Sequence, residues 1–202
     1  MKSVLISIRP EWVEKIASGK KTIEVRKTAP KESPFKAYIY ETKGKKIECG
    51  FHFEDTGITL REKYVFGMHK ARIIKHYRDE GRGKVIGEFI CDKVYNLVNA
   101  FGGIMFADEN LNQLEPQLFR DMSCLTDEQT ADYLGDKDGY GWHISDLKIY
   151  DKPKKLSEFK ISCNRKNLCY SCNRFTGKPW DICNSTITRP PQSYMFVEEV
   201  KE

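Results

Sequence analysis

No run of apolar residues approaches the roughly 20 needed for a membrane-spanning helix anywhere in the 202 residues. The opening MKSVLISIRPEW meets Arg9 and Pro10 before the apolar core of a secretory signal develops, so a soluble, cytoplasmic protein is expected. There is no internal repeat and no low-complexity tract. No loop resembles a P-loop or a dinucleotide fingerprint, which argues against nucleoside-triphosphate and NAD chemistry. Histidine is scarce, with four residues, and His52, His69 and His76 have no partners at metal or triad spacing, so they read as surface or packing residues. What remains is globular in character: 40% hydrophobic, 12% aromatic and 31% charged residues suit one packed domain with an appendage.

The net charge of +5 hides an uneven distribution. Residues 1–84 hold 20 basic and 11 acidic side chains, residues 85–160 hold 8 and 14, and residues 161–202 hold 6 and 4. Clustered Lys and Arg attract phosphates and release their counterions on contact, so a polyanion such as nucleic acid is one natural partner of the first half. A solvated basic face is the other reading, and it applies equally to the stretch from Lys63 to Lys84.

The periodicity predicts a short amphipathic helix at the start. Pro10 stands at its first position, Trp12, Val13, Ile16 and Ala17 form the apolar stripe, and Gly19 stops it. Residues 20–27 then alternate as a strand, with Ile23 and Val25 on one face and Thr22, Glu24 and Arg26 on the other. Phe35 to Glu41 is the next strand. Residues 43–84 give no clear assignment. Gly83 to Tyr95 reads as a long β run with a bulge or bend at Gly87. Between Ala107 and Leu134 the spacing turns helical, and Thr126-Asp127-Glu128-Gln129 has the form of a capped helix start. Gly139–Ile144, Leu147–Tyr150 (ended by Pro153) and Tyr194–Val200 are the late strands.

The string Gly19-x-Lys21-x-x-Glu24-x-Arg26 at a helix-to-strand junction resembles the ASCH domain family, a branch of the PUA-like β-barrels. SIRPEWVEKIASGKK resembles that family's N-terminal helix, GKVIGEF its central strand, and YGWHISDLKIYDKPKKLSEF the late strand of prokaryotic and phage members. The tail ITRPPQSYMFVEEV is also similar. The resemblance implies an α+β, PUA-like β-barrel over residues 1–160 and 186–202, with a helical insertion. It also implies a cleft beside the first helix that holds RNA or a modified nucleobase or nucleoside.

On the residues themselves, Lys21 and Arg26 can contact phosphate or a base acceptor, and Glu24 can accept from an amine or take a proton. Glu24 and Arg26 can equally form an ion pair with each other. Arg9 is a phosphate candidate. Trp142 and His143 can stack on a base and donate to its edge, or can be ordinary core or rim residues.

The rival expectation is a hydrolase, with Lys21 and Glu24 as its catalytic pair. Some members of the family this chain resembles are amidohydrolases that deacylate N4-acylated cytidine with a Lys, a nucleophilic Thr and a Glu. Lys21 matches the lysine, but the third residue after it is Glu24 rather than Thr, and Thr22 has no evident base partner. Other relatives are ribonucleases, where a Lys, Arg and Glu cluster would stabilise a phosphorane and move protons. A third reading is a phage-encoded module that captures a protein partner.

Seven cysteines make an odd number, and no secretory signal accompanies them, so a disulfide framework fits poorly. Cys163, Cys169, Cys172 and Cys183 fall in one polar segment with the spacing C-x5-C-x2-C-x10-C. Four thiolates suit a closed tetrahedral site, structural zinc first and an iron–sulfur cluster second. Residues 161–185 have too few apolar side chains to fold alone, so a four-cysteine knuckle formed around a metal is expected. Free thiols or a redox pair at Cys169 and Cys172 are the alternative.

Overall fold

In the computed structural model the described residues are 1–43, 45–53, 63–66, 69–79, 82–100, 103–162 and 186–200. The segment with Cys163, Cys169, Cys172 and Cys183 lies outside them. So do the side chains of His52, His69 and His76.

The chain is an α+β fold. Strand β1 (Lys2–Ile8) runs into helix α1 (Pro10–Ala17), then β2 (Ile23–Arg26) and β3 (Phe35–Glu41) follow. Next come β4 (Lys45–Phe53), β5 (Lys63–Phe66), β6 (His69–Asp79), β7 (Lys84–Cys91), β8 (Val94–Ala100) and β9 (Gly103–Ala107). Helices α2 (Pro116–Ser123) and α3 (Asp127–Leu134) precede β10 (Gly139–His143), β11 (Ser145–Lys154) and β12 (Tyr194–Val197). Among the described residues no helix is long and apolar enough to cross a membrane.

Among the described residues the strands form three sheets, ordered β11-β7-β3-β1-β12, β2-β10-β8-β9 and β4-β6-β5. The last occupies the stretch that gave no clear sequence assignment. The two larger sheets are separate hydrogen-bonded ladders, so the expected barrel is observed as an α+β packing of sheets. The chain turns sharply from one larger sheet into the other at Asp92-Lys93 between β7 and β8 and at Ile144 between β10 and β11, and it also crosses through α1 from β1 to β2 and back from β2 to β3.

The inner strands β1, β3 and β7 of the five-stranded sheet are buried on both faces because they carry apolar residues at successive positions, while β11 and β12 at its edges are largely exposed or half-buried. Along β3, Phe35, Ala37 and Ile39 pack with Val13 and Ile16 of α1 and with Trp142 and Ile144, while Tyr38 and Tyr40 pack with Phe159, Ile187 and Val197. A third core joins Ile23 and Val25 of β2 to Leu97, Phe106, Phe119 and Leu134, which docks α2 and α3 on the four-stranded sheet.

The bend expected at Gly87 is present. The β3–β7 register shifts between Ile39, opposite Gly87, and Tyr40, opposite Val85. A Cβ at Gly87 would stand 2.5 Å from the Lys148 carbonyl oxygen, so only glycine lets β11 approach this closely. Several strand ends differ from the sequence expectation, β2 spanning only Ile23–Arg26 and β12 ending at Val197. The Gly83–Tyr95 run is divided by the Asp92-Lys93 corner, and β11 continues through Pro153 to Lys154.

Candidate functional site

The site begins with how α1 ends. Gly19 takes a positive φ of 73° that favours glycine, and the Lys21 N–H donates to the Lys15 carbonyl at 3.0 Å. This turn delivers Lys21 directly to the start of β2. The α2–α3 turn closes over the same point: the Thr22 N–H donates to the Met122 carbonyl at 2.8 Å, and Lys21 Nζ donates to the Ser123 carbonyl at 2.7 Å. The last carbonyls of a helix carry partial negative charge, which suits an ammonium.

On β2 the expected alternation holds. Ile23 and Val25 enter the third core. Glu24 and Arg26 lie on the other face and pair with each other, Arg26 Nη2 to Glu24 Oε1 at 3.0 Å, while Lys21 Nζ lies 3.5 Å from Glu24 Oε2. Arg26 Nη2 also donates to the Ser7 carbonyl at 2.6 Å. The ion-pair reading of the motif is therefore realised, with Glu24 between Lys21 and Arg26, and all three side chains also line one cleft. They are deeply buried, with Lys21 at 2%, Arg26 at 5% and Glu24 at 7% exposure.

Buried charges are costly unless paired and hydrogen-bonded. Here the pairing is incomplete, because the buried Arg26 Nε has no hydrogen-bond partner among the described residues. Burial holds the Lys21 pKa below the usual lysine value, against the opposing pull of the Glu24 carboxylate.

The cleft above this floor has a volume of about 830 Å³. One wall is the end of β1 and the start of α1, with Arg9, Glu11 and Trp12; another is α3, with Gln129, Asp132 and Tyr133; Pro190, Pro191 and Gln192 form a third side. Lys21 Nζ lies 5.3 Å from the Trp12 ring centroid. Arg9, read from the sequence as a phosphate candidate, stands at the rim with its side chain 78% exposed and 3.7 Å from Glu11.

Trp142 and His143 do not join this set. Trp142 is 0% exposed and meets Phe35 and Tyr194 edge to face at 5.0 and 5.4 Å. It lies opposite Glu24 in the β2–β10 ladder and so shares its face, but it is enclosed by Phe35 and Tyr194 and has no open ring face for a base. The stacking role read from the sequence gives way to a core role. His143 points the other way, with Nδ1 2.7 Å from Asp92 Oδ1, and its N–H donates to the Lys93 carbonyl at 3.0 Å. It thereby ties one sheet corner to the other. Burial would raise the Asp92 pKa, but the hydrogen bond to His143 and other hydrogen bonds outweigh it and hold the carboxylate below its usual range.

The α3 wall was missed in the sequence although a signal for it was present. Thr130 and Leu134 form the buried stripe of α3, and Gln129, Asp132 and Tyr133 repeat at i, i+3, i+4 beside it. Periodicity identified the helix, but nothing local told which structure its second face would meet.

Residues 6–98, a stretch that contains Lys21, Glu24 and Arg26, match the family model for the ASCH domain. Among solved structures the chain is similar to ASCH from Zymomonas mobilis, at 19% identity and a TM-score of 0.48 over 98% of this chain and 89% of that one. A point-mutant form of the same Zymomonas mobilis protein matches at 16% identity and a TM-score of 0.47, over 98% and 92% of the two chains. Among curated proteins nothing matches the chain.

Proposed function

We propose that the cleft binds RNA or a modified nucleobase or nucleoside. The observation that carries this reading is the buried Lys21–Glu24–Arg26 array at the foot of an open cleft, with a guanidinium N–H left unpaired. Three charges taken out of water and only partly satisfied stabilise a fold poorly, but as the lining of a cleft they suit a polar ligand edge. The ASCH domain over residues 6–98 points toward nucleic acid, as does the basic excess of residues 1–84.

The test is incubation of purified protein with a mixed RNA pool and a panel of acylated and unmodified nucleosides, followed by separation of bound from free material and mass spectrometry. Wild type is expected to retain RNA or a nucleoside, and Lys21→Met to release it. Equal retention by both would exclude the cleft as the binding site.

A hydrolase, either a ribonuclease or an amidohydrolase on N4-acylated cytidine-type nucleosides, is the second reading. It is favoured by the lowered pKa of Lys21, since a desolvated lysine can exchange a proton nearer neutral pH. Thr22 is not among the cleft-lining residues, which leaves Glu24 as the acid–base partner in this scheme. New products in the same mass spectra, lost in Lys21→Met, would establish it.

For Cys163, Cys169, Cys172 and Cys183 the reading is a zinc knuckle, supported by their spacing. About one zinc per chain is expected by elemental analysis, and its loss in Cys172→Ser; a metal-free wild type would refute the knuckle.

A further inference from the structure

The α3 wall has features that the charged floor does not need. Tyr133 is 40% exposed, and Lys27 Nζ sits 5.3 Å from its ring centroid, which covers one ring face and leaves one. The Gln129 carbonyl oxygen accepts from the Thr126 N–H at 3.0 Å, and the Gln129 N–H donates to Thr126 Oγ1 at 3.1 Å. This cap fixes the side chain and leaves its amide NH2 as a donor. Asp132 makes no ion pair among the described residues while lining the cleft. The wall is anchored, because the turn before it holds Lys21 and Thr22 through the Ser123 and Met122 carbonyls. It also lies outside the matched residues 6–98.

The charge of the cleft is balanced. Arg9, Lys21 and Arg26 stand against Glu11, Glu24 and Asp132, and Trp12 and Tyr133 supply aromatic surface. A phosphate site carries a cationic surplus, whereas a balanced site with aromatic walls suits a flat, uncharged ring with donors and acceptors on its edge.

We infer that Tyr133 is the stacking platform of the cleft, that Asp132 and Gln129 read the edge of the ring it carries, and that this ring belongs to an uncharged nucleobase whose phosphates stay outside. The inference rests on the nucleobase reading of the cleft and deepens it. Asp132 accepts from an exocyclic amine or ring N–H, and the Gln129 amide donates to a ring nitrogen or carbonyl.

The probes are adenosine, guanosine, cytidine and uridine and their 5′-monophosphates, titrated calorimetrically into the full chain. Tyr133→Ala is expected to weaken the best nucleoside about tenfold. Tyr133→Phe should stay within about threefold of wild type, since it keeps the ring. Asp132→Asn should change the rank order of the four nucleosides, and the monophosphates should bind no tighter than the nucleosides. Thermal melts of each variant confirm folding, and Tyr133→Phe keeps the test valid if Tyr133→Ala does not fold.

Wild-type affinity in a folded Tyr133→Ala, or monophosphates binding more than about tenfold tighter than nucleosides, would overturn the inference. RNA retention that depends on Lys21 without saturable nucleoside binding would overturn it while leaving the cleft reading intact. Absence of both would overturn the two together.

Discussion

Lys21 and Arg26 hold Glu24 from two sides, but unequally. Arg26 makes the shorter contact and also serves the Ser7 carbonyl, so Arg26→Met leaves Glu24 with only the 3.5 Å contact to Lys21. A loss of about 3 kcal/mol is expected in denaturant unfolding, the range for breaking a buried pair. Lys21→Met leaves Glu24 on Arg26 and removes a desolvated ammonium, so its stability should stay within about 2 kcal/mol of wild type.

The pH dependence has a definite sign. With the folded-state pKa of Lys21 lowered, the unfolded chain binds more protons between that value and the ordinary lysine value, so this group's contribution to stability rises with pH across that window. Urea unfolding of wild type and Lys21→Met from neutral to alkaline pH should show the difference moving in favour of wild type; a constant difference would contradict the burial effect. Lys21, Glu24 and Arg26 were legible as a set because all three lie within six residues of one turn and strand. Tyr133, Asp132 and Gln129 were not, because their role depends on contacts more than 100 residues away in sequence. For Trp142 the sequence left a core role and a ligand role open, and its packing against Phe35 and Tyr194 decides for the core.

Elements with local chemical signals were read closely. Pro10 and Gly19 bracket α1, which ends at Ala17, and the Thr126 capping box is formed with Gln129 in both directions. Gly87 marked a bend by the lack of a side chain, and the structure shows why: β11 lies too close for a Cβ. Gly87→Ala should therefore destabilise the fold by about 1–3 kcal/mol, because the obstructing atom is backbone and not the flexible end of a side chain. A thermal melt unchanged from wild type would contradict the close approach. The corner at Asp92-Lys93 was missed because β-type residues continue across it, whereas the break at Ile144 falls where the sequence expectation already ended a strand. What turns the chain there is long-range, the His143–Asp92 contact and the Ser145 Oγ hydrogen bond to the Ile90 carbonyl at 2.8 Å. The three-stranded sheet of β4, β5 and β6 was hidden for a related reason, since its strands have mixed patterning and their pairing is set between segments.

Across the whole molecule, charge and shape divide the work of binding. In the proposed reading the basic excess of residues 1–84 acts at a distance and without sequence preference, while the balanced cleft acts only on a ring that enters it. RNA affinity should thus fall steeply between about 50 and 200 mM salt, whereas nucleoside affinity should hardly change. Parallel salt slopes for the two would contradict this division. The most direct test of the cleft as the binding site is equilibrium binding of a mixed-sequence single-stranded RNA to wild type and to folded Lys21→Met at one moderate salt concentration. Weakening by tenfold or more, about 1.4 kcal/mol, is predicted for a change that removes one buried charge and leaves the other basic residues of 1–84 in place. Equal affinity would show that RNA is held by the outer surface alone and that the buried Lys21–Glu24–Arg26 array serves the fold rather than a ligand.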